Sequence, residues 1–201
     1  MKKIRRPNIT IRAREVFYRL KRARLLGELD EDRITAIIDK YQLAKLIDPG
    51  CLYENFDQDE LDISSITPGK ISCQTASLVC ATIGDKGFEA KIKLISDIEK
   101  NVCFAWAEAF LGKMIDLSSR LIADEAQKDS MELWQSFYPA KKEERELWVF
   151  LQKRIAVEEK IGIKVSIDPA NEESLEVFPT YSKIWVYPWV TKKEKKQLAA
   201  R

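Results

Sequence analysis

The chain has 201 residues, 45% of them hydrophobic and 33% charged, which suits one soluble domain with a real core and excludes a low-complexity or fibrous chain. Its net charge is +2, but residues 1–24 carry ten Lys or Arg against Glu15 alone, so a basic N-terminal arm precedes an acidic remainder. There is no histidine, and no apolar run approaches the roughly 18–20 residues that span a bilayer.

In chain order, residues 1–50 read as a basic N-terminal helical hairpin. A first helix, capped at Asn8 or Thr10, runs to about Leu26 with Val16, Phe17, Leu20 and Ala23 at helical spacing. Gly27 ends it. Asp30 caps a second helix with the stripe Ile34, Ile37, Ile38, Tyr41 and Ala44, stopped by Asp48-Pro49-Gly50. Residues 51–70 are rich in Asp and end in Thr67-Pro68-Gly69-Lys70, which reads as an acidic linking loop.

The α+β core is expected over 71–201. Cys73 opens an apolar helix reaching Ala81, and Gly84-Asp85-Lys86-Gly87 makes a turn. Phe88–Ile95 alternates like a half-buried strand. Val102–Leu111 alternates too, and Gly112 is placed for a hairpin turn into a strand Lys113–Leu117 that carries Asp116. Residues 119–160 read as a helical insertion with stripes at Leu133, Trp134, Phe137 and at Leu147, Phe150, Leu151, Ile155. Strands follow at Ile161–Ile167, Leu175–Phe178 and Ile184–Val190, with a turn at Asp168-Pro169 and Pro188 suggesting an edge. Thr191–Arg201 is a charged helix or tail.

The pieces Cys73-Gln74-Thr75-Ala76, Gly87-Phe88-Glu89-Ala90, Phe104-Ala105-Trp106-Ala107-Glu108 and Gly112-Lys113-Met114-Ile115-Asp116 come in an order that resembles the bacterial transglutaminase-like superfamily, with its papain-like core. The resemblance covers about a quarter of the chain. It implies a helix packed on an antiparallel sheet, a thiolate nucleophile at Cys73 and an orienting carboxylate at Asp116. The imidazole that would hold the thiolate and protonate a leaving amine falls at Phe104, which can do neither. General-base help is worth about 10²–10⁴-fold. The resemblance therefore implies a catalytically impaired, pseudoenzyme-like protein that binds a peptide or protein partner in the former active-site cleft, with Trp106, Glu108 and Gln74 as binding residues. An active cysteine acyl-transferase or protease with an unconventional base is the alternative.

The plainer readings of the same residues are a buried small hydrophobe for Cys73, a core aromatic for Trp106 and a turn or cap residue for Asp116. A second functional alternative is nucleic-acid association through Arg5, Arg6, Arg12, Arg14, Arg19, Lys21 and Arg22, by salt-sensitive phosphate contact. Cys51, Cys73, Cys80 and Cys103 lack metal-ligand spacing, so free thiols in a cytoplasmic protein are expected, with no metal, no cofactor and no membrane partner.

Overall fold

The chain begins as a strand, not as a free basic arm. In the computed structural model, which describes residues 1–5, 7–62, 66, 73–167 and 175–199, β1 (Lys2–Arg5) pairs antiparallel with β2 (Gly50–Asp57) from Lys2↔Tyr53 to Arg5↔Gly50. Lys and Arg on a short outer strand protect its free edge from pairing with other chains. Helices α1 (Ala13–Arg22) and α2 (Glu31–Tyr41) follow, each with its expected apolar stripe; Val16, Leu20, Ile34 and Tyr41 are buried. α1 stops at Arg22, earlier than its sequence suggests, and Gly27 lies in the following turn at φ +54°. Asp30 caps α2, its Oδ1 accepting from the Arg33 backbone N–H at 2.8 Å. The two helices share one core with the middle of the chain, so residues 1–50 are not a separate appendage.

Four expectations over residues 51–118 are corrected. The acidic loop begins as strand β2, because Cys51, Leu52, Tyr53 and Phe56 are buried between its carboxylates; the Thr67–Lys70 turn lies outside the described residues. The helix from Cys73 is instead a strand, β3 (Thr75–Thr82). It lies between two other strands with both faces covered, so its run of small and apolar residues shows no alternation. Phe88–Ile95 is not a strand; its first residues form a short helix, α3 (Phe88–Ile92), entered through Gly87 at φ +100°. The two strands at 102–117 are one 32-residue helix, α4 (Asp97–Lys128), which begins with a Ser96/Glu99 capping box and carries Gly112 in its interior.

Residues 119–128 complete α4, and the insertion expected to be helical is interrupted by β4 (Glu132–Leu133). Trp134 and Phe137 are extended there, their backbone N–H groups donating to Pro188 and Val186 carbonyls. Helix α5 (Lys141–Ile155) buries Leu147, Trp148, Leu151 and Ile155, and α6 (Val157–Ile161) follows through Ala156 at φ +50°. A two-stranded hairpin of β5 (Lys164–Ile167) and β6 (Leu175–Phe178) precedes β7 (Ser182–Val190); the turn expected at Asp168-Pro169 is outside the described residues. Thr191 caps the terminal helix α7 (Lys192–Ala199), whose Glu194 carboxylate accepts from the Thr191 backbone and hydroxyl.

The fold is therefore α+β, half helical, with an antiparallel sheet in the order β1-β2-β3-β7-β4. Both of its faces are covered. Cys51, Tyr53, Val79, Ala81, Trp185, Tyr187 and Trp189 point towards α1, α2 and α4. Leu52, Phe56, Leu78, Cys80, Ile184 and Val186 point towards α5, α6 and the hairpin. Pro188 is tolerated inside the sheet because its nitrogen faces the ragged β4 side, where the proline contributes a carbonyl to Trp134 and no donor is required. Among the described residues, no helix is long and apolar enough to cross a membrane.

Candidate functional site

The residues singled out by the motif order do not converge. Cys73 precedes a strand, is 5% exposed and belongs to the core on the α5 side of the sheet. Burial pushes its thiol up to about 11, the opposite of what a helix N-terminus does to a nucleophile. Trp106 belongs to the core on the other face, its ring 5.5 Å from that of Phe110. A cleft between Cys73 and Trp106 therefore does not form. Gln74 is exposed, and its carbonyl accepts from the Gln58 backbone N–H. The remaining thiols are buried, and Cys51 lies 3.1 Å from Ser118 Oγ.

Phe104, Glu108 and Asp116 fall, with Gly112, at steps of four on one line of α4. A step of four keeps side chains on one helix face. The motifs Phe-Ala-Trp-Ala-Glu and Gly-Lys-Met-Ile-Asp are thus two parts of one helical stripe, with Trp106 on the buried side of the same helix.

The Phe104–Glu108 half of that stripe lines, opposite α1, an open groove of about 460 Å³, a volume typical of small-molecule sites. One wall is α4, through Asn101, Phe104, Ala105 and Glu108. The other is the second half of α1 and the turn after it, through Arg19, Arg22 and Leu25. Phe104 is 37% exposed and Leu25 50%, so two large apolar side chains are left partly uncovered here. Tyr181, just before β7, backs the Phe104 ring at 5.8 Å and 35°.

Lys183 on β7 donates to Glu108 Oε2 at 2.6 Å, and its ammonium lies 5.4 Å from the centre of the Tyr138 ring. Tyr138 in turn packs on Trp185 at 4.6 Å. Burial first, and then the charge of Glu108, raise the hydroxyl pKa of both Tyr138 and Tyr181, so both phenols are neutral donors at neutral pH.

The charges of this groove do not balance. Glu108 is taken by Lys183, and Glu15, the one acidic residue of α1, is taken by Lys113 at 2.8 Å. Arg19 and Arg22 have no ion pair among the described residues. Gly112 lets Arg19 lie across α4: a Cβ there would be 2.8 Å from the guanidinium Nη2.

Of the other basic candidates, Arg12 is the N-terminal cap residue of α1 and Arg14 donates to the Tyr18 hydroxyl at 3.5 Å. Lys21 is exposed, Arg5 pairs through its backbone in β1, and Arg6 lies outside the described residues. Among the described residues no cluster of His, Cys, Asp or Glu is suited to a metal ion.

Tyr138, Tyr181, Lys183 and Leu25 carry no sequence signal of their own. The four-residue step from Phe104 to Asp116, read as a helix, points to the α4 wall, but the pairing with α1 is visible only in three dimensions. No protein-family model matches the chain, and no curated protein matches it.

Proposed function

We propose that the protein is a binding module whose α1/α4 groove takes a small ligand carrying a flat apolar group and an anion. The observation that carries this is the pairing of a partly uncovered aromatic ring, Phe104, with two guanidinium groups, Arg19 and Arg22, that have no ion pair among the described residues, in one groove of ligand size. Aromatic faces left open beside Leu25 favour a flat apolar partner. Arginines with no carboxylate to neutralise them favour an anion, to which each can donate two parallel hydrogen bonds. The Glu108–Lys183 pair already cancels its own charge and offers polar contacts without attracting net charge of either sign. Binding is placed here, and not at Cys73, because the groove is open and the thiol is enclosed.

The test is fluorescence titration with 8-anilinonaphthalene-1-sulfonate, which has both features, beside the uncharged N-phenyl-1-naphthylamine. Hydrogen bonds to charged groups are worth about 1.5–3 kcal/mol. The Arg19→Ala/Arg22→Ala protein should therefore bind the sulfonate at least about tenfold more weakly and the uncharged dye as before. Phe104→Ala should weaken both. Sulfonate affinity that survives all three substitutions would refute the assignment.

A further inference from the structure

Building on the groove as a ligand site, we infer that it is read lengthwise by one extended ligand, an aryl anion whose ring and charge stand about 9 Å apart. The span follows from α4. Phe104 and Gly112 are eight residues apart, which is about 12 Å of helix, and contact between an anion and the guanidinium takes up about 3 Å of that.

Three stations lie along this line. At one end Phe104, backed by Tyr181 and bordered by Leu25, presents an uncovered ring. In the middle Glu108 is held by Lys183 at 2.6 Å, so the segment of ligand crossing it is uncharged. At the far end the Arg19 guanidinium lies over Gly112. Arg22, one turn along α1 from Arg19, lines the stretch between the far end and the ring.

Gly112 is the positioning residue. Glycine weakens a helix interior relative to alanine, yet here it leaves room for the Arg19 guanidinium to lie over the helix. Any side chain at 112 moves the cation, and with it the distance at which an anion is met.

Isothermal titration of phenylacetate, 4-phenylbutyrate, 6-phenylhexanoate and 8-phenyloctanoate, each beside its neutral amide, tests this. Longer chains bind more tightly through apolar burial alone, so the readout is the ratio of carboxylate to amide affinity at each length. That ratio should peak at 6-phenylhexanoate, about tenfold or more above its value for phenylacetate. Gly112→Leu, which puts a good helix former at the position, should abolish the peak in the carboxylate-to-amide ratio; Arg19→Gln should do the same without touching α4. A ratio that is flat with length, or a peak that survives both substitutions, overturns the lengthwise arrangement while the groove remains a ligand site. Failure of every member and of the naphthalene sulfonate to bind overturns both.

Discussion

Ser77 is the test of what locks the sheet to α4. Its hydroxyl is fully buried on β3, accepts from Trp189 Nε1 at 2.8 Å and donates to Asn55 Oδ1 at 2.7 Å. Asn55 Nδ2 then donates to Glu125 on α4, which also accepts from the Tyr53 hydroxyl and from Lys2 Nζ. One polar chain thus joins β7, β3, β2, β1 and the last turns of α4. Ser77→Ala removes little volume but leaves the indole N–H of Trp189, only 3% exposed, without an acceptor. Asn55 is half-buried and turns to water, so a single buried donor is orphaned. Such a group costs about 1–3 kcal/mol. For a chain of this length that is a fall in Tm of about 2–12 °C.

Urea denaturation should show a lower midpoint with an unchanged m-value. Trp189→Phe removes the donor as well as some ring volume. In the double-mutant cycle the volume effect cancels, and a coupling of about 0.5–3 kcal/mol should remain. A loss under about 0.5 kcal/mol for Ser77→Ala, or strictly additive single changes, would refute the role assigned to this chain.

The four cysteines are buried, and burial pushes Cys51, Cys73 and Cys103 up to about 11 and Cys80 higher than usual. A chromogenic disulfide at neutral pH should therefore label none of them in the native protein and all four in guanidinium chloride; rapid native labelling of Cys73 would revive thiol chemistry there. Lys40, then Tyr41 and Ser96, hold the Glu99 carboxylate at about 2, down from its ordinary 4.5. That stabilisation is complete above 4.5 and is lost as pH falls from there towards 2, so the urea midpoint should drop over this window less steeply in Glu99→Gln than in the wild type. Gly27→Ala, at φ +54° with nothing near its missing Cβ, should destabilise by only about 1–2 kcal/mol. Gly84→Ala, at φ +67° against the Asp48 backbone, adds an overpacking penalty of about 1–3 kcal/mol to that conformational term. Equal losses for the two, measured by urea denaturation, would show that the Asp48 contact yields freely.

The sequence made α1, α2 and α5 legible by their apolar stripes, and β6 and most of β7 by β-prone runs between turn residues. Two of the misread elements, β3 and α4, are covered on more than one side. β3 is buried on both faces, so Ala76, Leu78 and Cys80 are as apolar as Val79 and Ala81, and its small residues mimic a helix. α4 has the sheet beneath it and α1 and α2 above it, so Ala105, Ala107 and Ala109 allow close approach between bulkier neighbours and imitate a period of two. Gly112 looked like a turn, and what lies over it is the Arg19 side chain, from a helix some ninety positions earlier. Half of the candidate groove, Phe104 and Glu108, lay inside the motifs noticed from the sequence; the half supplied by Arg19 and Leu25 depends on a packing that no local pattern encodes.

The position of β7 has a consequence for biosynthesis. It pairs with β3 along eight residues, from Thr75↔Trp189 to Thr82↔Ser182, although more than a hundred residues separate the two in sequence. Until Val190 has left the ribosome, β3, buried on both faces in the finished fold, has one open edge, and its neighbouring core on both faces lacks Trp185, Val186 and Trp189. Pairings so distant form slowly, and an unpaired apolar edge is the kind that aggregates. The sheet therefore closes only once β7 has been made, long after β2 and β3.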